Sequence, residues 1–595
     1  MENEAGESWN KMKTLMEWKV AGTPHQINVN NKLYKKAGEV ATLMNNFFIE
    51  KVEKLKGKFQ GQVPNLIGCR KAMISKKCSV DISFVSVSKV EKILRGLKSS
   101  KAVAIDGLDS YSLKIAAKLV AAPVHHLVSL SIMQQKFPTL WKKAKVLPLH
   151  KKGDVLERKN YRPVSILSPV SKVLEKAVYD QLYSYFSKNK IFHSNVMGYR
   201  KNRSTETAIL QMYDRWVRGA GQGNISGIVF LDLSAAFDLV DSKILIEKLK
   251  IYGLKEDFIS WISCYLSERK QAVWIDHTLS DWLDVSVGVP QGSILGPLLF
   301  IIFANDLPYL LSSNLDQYAD DSTLSSVKSS VPEINLELND DCQVVSTWML
   351  KNHLCLNADK SGLMVAGTSQ KMHHTCRTEN VSVFMDGLQL HESEDKNEKI
   401  LGVHFQSNLK WTRQCQEVQL RLKCRLVGLR KIQNVLPLDK RKIVAQSIFQ
   451  SVLSYCISVW GGTAKRDIES LQVIQNRAAQ FVLNVCVWRV NRNQMYKQLQ
   501  WLTVHQLFVF NRILAVYRIR RSGEPEYLAA LLSKDNIRGN IIVPHTGLSL
   551  LKRSFAFNGT ELWNRVPHDL RQIGCQQKFR RLLREWILAN IKMFL

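Results

Sequence analysis

One aspartate, Asp232, interrupts the apolar run Ile228-Val229-Phe230-Leu231, which reads as a buried strand. An ionised carboxylate in a buried strand is costly unless something compensates it. Two more carboxylates stand side by side in Tyr318-Ala319-Asp320-Asp321. Two strands that deliver three carboxylates to one point make an oxygen-donor site for a hard cation such as magnesium. That is the minimum equipment for two-metal phosphoryl or nucleotidyl transfer. Each piece alone has a plainer reading. The first fits a strand edge running into a helix cap, with Asp238 a local turn carboxylate, and the second fits a polar hairpin tip.

Charge narrows the partner. The 595 residues carry 83 Lys and Arg against 52 Asp and Glu, a formal net charge of +31. A surplus of that size points to a polyanion, either nucleic acid or an anionic membrane surface. The longest greasy stretch, Leu298-Leu299-Phe300-Ile301-Ile302-Phe303, falls far short of the ~20 residues of a membrane span. No membrane partner is therefore expected. The opening Met-Glu-Asn-Glu-Ala-Gly-Glu-Ser has no apolar signal region. Eleven scattered cysteines, none in a Cys-x-x-Cys pair, point to a reducing intracellular compartment.

The chain divides by pattern. Residues 1–80 are polar and Lys-rich and read as an extension or linker, with one amphipathic helix near Ala37-Thr42-Phe47-Phe48. From 81 to 205, Val90, Ile93, Leu94 and Leu97 recur at helical spacing, Val146-Leu147-Pro148-Leu149 reads as a strand, and Val173, Leu174, Val178 and Leu182 mark a helix. Strand and helix signals alternate over 206–411, as in an α+β core. Beyond 412 the chain turns helical and basic. Phe449, Leu453, Cys456, Ile457 and Trp460 form one apolar stripe, ended by Gly461-Gly462, and Ile468, Leu471, Ile474, Ala478 and Phe481 form another. Lys465, Arg466, Arg477, Lys578, Arg580, Arg581 and Arg584 lie off those stripes, on a solvated or nucleic-acid-facing surface.

A third passage, Gly288-Val289-Pro290-Gln291-Gly292-Ser293-Ile294-Leu295-Gly296-Pro297, is turn-rich and feeds a long apolar helix. Its glycines permit close backbone approach to a ligand, and Gln291 has an amide to offer a template base or sugar. Phe230-Leu231-Asp232-Leu233-Ser234-Ala235-Ala236-Phe237-Asp238, this passage and the Tyr-Ala-Asp-Asp box stand in the order found in reverse transcriptases. They most resemble those of non-LTR (LINE-type, Jockey-like) retrotransposons. Asn160-Tyr161-Arg162-Pro163-Val164-Ser165 resembles the fingers motif of that family and Gly198-Tyr199-Arg200-Lys201-Asn202-Arg203-Ser204-Thr205 the stretch before the palm. Lys399-Ile400-Leu401-Gly402-Val403 resembles the primer-grip hairpin, and Leu562-Trp563-Asn564-Arg565-Val566-Pro567 the C-terminal box. The resemblance runs from about residue 80 to the end of the chain.

The resemblance implies an α+β right-hand polymerase. Fingers would occupy 81–205, the palm with its antiparallel sheet 206–411 (the reverse transcriptase domain about 140–411), and a helical basic thumb and C-terminal region 412–595. It implies RNA-directed DNA synthesis from dNTPs on an RNA template and a DNA primer or target, with two Mg²⁺ ions. Asp232 and Asp320 would bridge the ions, the Leu233 carbonyl would complete one shell, and Asp321 would be a second-tier ligand. Phe237 would lie under the ribose and exclude a 2′-hydroxyl. Arg162 would meet the triphosphate, shared with Lys151 or Lys152, and Lys360, in Asp359-Lys360-Ser361, would act as acid for the departing pyrophosphate.

Ala104, Asn202 and Gln406 depart from the residues common in the family, and none touches the carboxylates. No upstream endonuclease, RNase H segment or cysteine knuckle is visible, so an endonuclease would be supplied separately. The expected location is the nucleus or cytoplasm, as a ribonucleoprotein. The alternative is a non-catalytic nucleic-acid-binding relic of such an element. An RNA-copying polymerase or a maturase-like enzyme fits less well, because of Phe237 and the lack of a maturase tail.

Overall fold

The computed structural model describes residues 22–590 apart from 60, 358–359, 376–378, 394, 486–490 and 547. Strand Ile225–Leu231 lies inside a four-stranded antiparallel sheet, between Asp321–Lys328 and Gly362–Ala366, with Asn314–Tyr318 at the edge beyond Asp321–Lys328. Ile225, Ile228, Val229 and Leu231 are all buried. A strand covered on both faces shows a continuous apolar run rather than alternation. Gly227 has a packing reason: a Cβ there would meet Ile334 at 2.5 Å and Leu338 at 2.8 Å. Helix Val331–Lys351 therefore lies directly against the strand.

A second sheet joins Tyr161–Ile166, Lys143–His150 and Arg269–Ile275, extended by Thr278–Leu279 and Leu283–Val285. Lys143–His150 pairs antiparallel with Tyr161–Ile166 and parallel with Arg269–Ile275. Arg269–Ile275 thus belongs to this sheet although it lies within the span 206–411 expected to form the palm. A parallel partner is reached only through a long crossover, and local sequence pattern does not specify where that crossover lands.

The N-terminal span, expected to be an extension or linker, is folded from residue 22 onward: its first part, through helix Ala37–Lys56, lies against this second sheet, and helix Ile67–Met73 lies against Asp306 in the main core. Helix Ala37–Lys56 buries Val40, Ala41, Met44 and Phe48 against Val146, Val273 and Ile275. Asn45, itself buried, donates to Ser280 Oγ at 3.1 Å and to the Asp281 carbonyl at 2.9 Å.

An ion pair is fully buried in the main core. Lys248 Nζ lies 2.8 Å from Asp306 Oδ1, with both side chains at 0% exposure. The ammonium also donates to the Phe303 carbonyl at 2.7 Å and sits over the Phe303 and Trp348 rings, and Trp348 Nε1 donates to the other Asp306 oxygen at 3.2 Å. The pair locks helix Ser242–Ile251 to the end of helix Leu295–Ala304 and to helix Val331–Lys351.

Helices Thr412–Lys431, Lys465–Leu483 and Val504–Ser522 share one core with Trp216 and Tyr213 of helix Thr205–Gly221, behind the four-stranded sheet. The stripe Phe449 to Trp460 is fully buried, as its periodicity requires, but it is not one helix. It breaks at Tyr455 and Cys456, where Cys456 has φ +50°, and restarts at Ile457–Trp460. Trp460 Nε1 donates to the Tyr455 carbonyl freed by this break, at 2.9 Å. No helix among the described residues is long and apolar enough to cross a membrane. No disulfide links the described cysteines.

Removing one partner of a buried ion pair leaves the other charge uncompensated, at a cost of about 3–5 kcal/mol. Lys248→Met is therefore expected to move the urea midpoint down by that equivalent. Adding Asp306→Asn, which keeps an acceptor for Trp348, should restore much of the loss.

Candidate active site

The carboxylates are brought together by strand register. Asp321–Lys328 runs antiparallel to Ile225–Leu231 with Ser322 opposite Leu231. The ladder ends there, and Asp321 and Asp232 are the next residue on each side of that end. On the other side Tyr318 pairs with Asp321, so Ala319 and Asp320 form a two-residue hairpin turn. Ala319 takes φ +60°, the left-handed conformation that tight hairpin turns require. A non-glycine residue there costs roughly 1–3 kcal/mol unless its surroundings hold it. Here the holding is visible: Met197 N and Gly198 N donate to the Gln317 carbonyl at 2.8 and 3.3 Å. A Cβ on Gly198 would lie 2.4 Å from Ala319 N. The segment that resembled the approach to the palm is thus the floor of the hairpin.

Asp232 is not the buried strand residue its sequence context suggested. It stands just beyond the strand end, and its side chain is 42% exposed. Lys360 Nζ approaches its Oδ2 at 3.9 Å, and Asn357 donates to the same oxygen at 3.2 Å. Burial pushes the Asp321 carboxyl above the usual carboxylate range, and repulsion from Asp320 and Asp232 adds to it. Lys151 and Arg162 oppose that shift. The Lys151 ammonium is in turn pulled down by burial and by Arg162 and Lys360, with Asp232 acting the other way. Lys151, Arg162 and Lys360 therefore form a cationic rim around the three carboxylates.

Next to this centre, the Phe237 ring stacks on Phe300 with centroids 4.5 Å apart, and the Tyr199 ring meets it edge-on at 6.3 Å. The Tyr199 phenol is raised by burial and by Asp320. Gln291 does not present a free amide. Its Nε2 donates to Asp238 Oδ1 at 2.7 Å, and burial pushes the Asp238 carboxyl up while this bond opposes the shift. The glycines of this loop also serve the protein's own backbone. Gly288 has φ +98° and donates to the Val240 carbonyl at 2.9 Å, and a Cβ on Gly292 would sit 2.5 Å from the Ser165 carbonyl. The loop thereby ties Phe237 to strand Tyr161–Ile166. Buried Glu175 accepts from Ile294 N at 2.7 Å and from Leu295 N at 3.2 Å, at the start of the following helix.

Sequence reasoning placed Asp232, Asp320, Asp321, Lys151, Arg162 and Lys360, and the fold brings them to one rim. Asp359, quoted with Lys360, lies outside the described residues. Gly198, Tyr199, Asn357 and Glu175 were given no role in the site. The Gly198-Tyr199 pair ahead of a capped helix was a visible signal, whereas Glu175 sits on an ordinary amphipathic helix and gave none.

Among the described residues, no group of three or more His, Cys, Asp or Glu side chains is gathered tightly enough to cage an ion. Magnesium commonly keeps several waters and uses only one or two protein carboxylates beside substrate phosphates. Asp232, Asp320 and Asp321, which repel one another across an open rim, fit a site of that kind. The Leu233 backbone, paired with Leu356, adjoins it.

Residues 149–416 match the reverse transcriptase (RNA-dependent DNA polymerase) family. The chain is 26% identical over 446 residues to a Drosophila melanogaster protein named "Probable RNA-directed DNA polymerase from transposon BS", covering 72% of this chain and 48% of that one. It is 23% identical over 455 residues to the corresponding X-element protein, covering 75% and 49%. It is also 23% identical over 413 residues to the RNA-directed DNA polymerase from mobile element jockey of Drosophila melanogaster, covering 67% and 44%. The chain thus spans about half the length of the curated relatives it matches.

Gly198→Ala is expected to cost about 1–3 kcal/mol by overpacking against backbone and to speed hydrogen exchange at the Tyr318–Asp321 amides. The raised Asp321 carboxyl binds its proton more tightly in the folded state than in the unfolded one. Its contribution to stability is therefore full in acid and is lost as pH rises through the raised value. In chelator, Asp321→Asn should melt above the parent at neutral pH, with the gap closing below the ordinary carboxylate range. Magnesium should raise the parent's melting temperature at neutral pH and raise that of Asp232→Asn less.

Proposed function

Taking residues 149–416 as a reverse transcriptase domain, we propose that this protein is an RNA-directed DNA polymerase. It adds dNTPs to a primer 3′-hydroxyl on an RNA template. The observation that carries this reading is the convergence of Asp232 with the Asp320-Asp321 hairpin inside a rim of Lys151, Arg162 and Lys360. Carboxylates at the centre and cations around them suit a triphosphate that arrives with divalent metal.

Asp232, Asp320 and the Leu233 carbonyl would hold two magnesium ions, with Asp321 beside them. Such ions, when bound, make the attacking hydroxyl more acidic and neutralise the triphosphate and the leaving pyrophosphate. The Arg162 guanidinium and the Lys151 ammonium bind triphosphate oxygens. Phe237, fixed by its stack on Phe300, excludes a sugar with a 2′-hydroxyl. Lys360, already next to Asp232, holds a proton at Nζ for the departing pyrophosphate. The biological setting that follows is target-primed reverse transcription of a non-LTR retrotransposon, with strand nicking by an endonuclease, in a nuclear or cytoplasmic ribonucleoprotein.

The test is extension of a DNA primer on an RNA template with magnesium. Extension is expected with dNTPs and not with NTPs, and it should vanish in Asp232→Ala and Asp320→Ala. Phe237→Ala should narrow the preference for dNTP over NTP by about 10–200-fold. Template binding without any extension by the parent would mark the protein as a nucleic-acid-binding relic instead.

A further inference from the structure

Two cavities on the C-terminal helices adjoin one another. One, of about 560 Å³, lies between the segment Asn202–Thr207 and helix Val504–Ser522 and includes Arg518 and Arg521 in its lining. The other, of about 290 Å³, is lined by Arg520, Arg521, Arg571 and His568. Tyr517 and Arg521 line both, so the two lie side by side and make one arginine-lined groove with these residues at its waist.

Cations outnumber carboxylates in this lining: Glu206, which accepts from Ser458 and supports the charge of Arg518, and Asp535, which supports that of Arg571, stand against Arg203, Arg518, Arg520, Arg521 and Arg571. Arg203 is paired with Glu524 and Glu526, and Arg520 holds Asp535 through two bonds of 2.7 and 2.8 Å. Among the described residues, none of Arg518, Arg521, Arg571, Arg580 and Arg584 has a carboxylate within 4.0 Å. Arg521 and Arg571 donate only to neutral oxygens, those of Gln572, Gly539 and Asn540. The Arg571 Nε is buried without a hydrogen-bond partner. Helix Gln576–Ala589 begins in the lining of the larger cavity with Gln576 and carries Arg580 beside it, close enough to depress both Arg518 and Arg584. Gathering guanidinium groups this way is unfavourable unless an anion spans them.

The groove also has a direction. Its inner wall, Asn202–Thr207, continues from Gly198, whose backbone abuts the hairpin carrying Asp320. Its aromatic rings, by contrast, are not available for base stacking. Tyr517 and Trp563 are buried at 2% and 5% exposure, and Tyr517 is stacked on Phe579 at 4.0 Å.

We infer that this arginine groove binds the phosphodiester backbone of a nucleic-acid strand running to or from the catalytic hairpin. Guanidinium groups without accessible rings contact phosphates and not bases, so the groove holds the strand without reading its sequence. Which strand it holds rests on the polymerase reading, but its affinity for a backbone does not. An Asp320→Ala background therefore separates the two.

In that background, equilibrium binding of a fluorescent RNA strand and a DNA strand of equal length would be measured across a salt series. The variants are Arg521→Gln/Arg571→Gln/Arg580→Gln, the same three positions changed to Lys, and Lys35→Gln/Lys58→Gln/Lys188→Gln as a charge-matched control. Each phosphate contact on a single strand contributes about 0.7 to the slope of log affinity against log salt. The Gln triple is expected to lose about 2 from that slope, with affinity falling roughly tenfold or more at moderate salt, and the Lys triple to retain most of the slope. A loss on RNA alone assigns the groove to the template, and a loss on DNA alone assigns it to the primer. A Gln triple with the slope and affinity of the control on both strands would overturn the inference. So would a Lys triple as weak as the Gln triple, because the loss would then not follow charge.

Discussion

The antiparallel ladder between Ile225–Leu231 and Asp321–Lys328 is the contact on which the site depends. Ser322 opposite Leu231 is the last pair of the ladder and brings Asp321 and Asp232 together at its end. A slip of one residue would turn every side chain of one strand to the other face, and the carboxylates would no longer share a rim. The register is secured from below, because Gly227 lets Ile334 and Leu338 press against the strand. It is secured again from the side by the buried Lys248–Asp306 pair, which holds that helix in place. Stability and chemistry therefore share the same elements.

The site stores electrostatic tension that a substrate complex would relieve. Burial first, and then the neighbouring charges of Asp320 and Asp232, hold the Asp321 carboxyl above the usual range. The cations that offset them come from three separate places, strand Tyr161–Ile166, the turn after Lys143–His150, and the segment following Cys355–Leu356. Because the loop at Gly288–Gly292 is bonded to both Phe237 and Ser165, movement of the second sheet would be transmitted to the ring proposed to sense the sugar. Gln291 takes part in this coupling through Asp238.

The helices after residue 412 are packed onto the back of the sheet through Trp216, Tyr213 and Trp411. Their basic faces are consequently held at fixed positions relative to the hairpin, and their charge acts as an oriented surface. The break at Cys456 serves the same packing. Tyr455 leaves the helix and donates to the Leu401 carbonyl at 2.6 Å, bracing the hairpin Asn397–Gln406.

Much was legible in the sequence. Asp232 stood out because a carboxylate in what reads as a buried strand is costly, and Asp320 and Asp321 because their box follows two other motifs in the order found in reverse transcriptases. The helices at 37–56, 169–188 and 465–483 announced themselves by apolar spacing, and Arg162, Lys151 and Phe237 were placed by resemblance. Other features depended on contacts between residues far apart in the chain. The exposure of Asp232, the capture of Gln291 by Asp238, the pressure of Gly198 on Ala319 and the membership of Arg269–Ile275 in the second sheet all involve such partners. Periodicity and composition report only what a residue's neighbours along the chain require of it. The sequence by itself determined which groups the chain carries, and the tertiary structure alone decided which of them meet. Register and crossover are set by the whole core and not by any one segment.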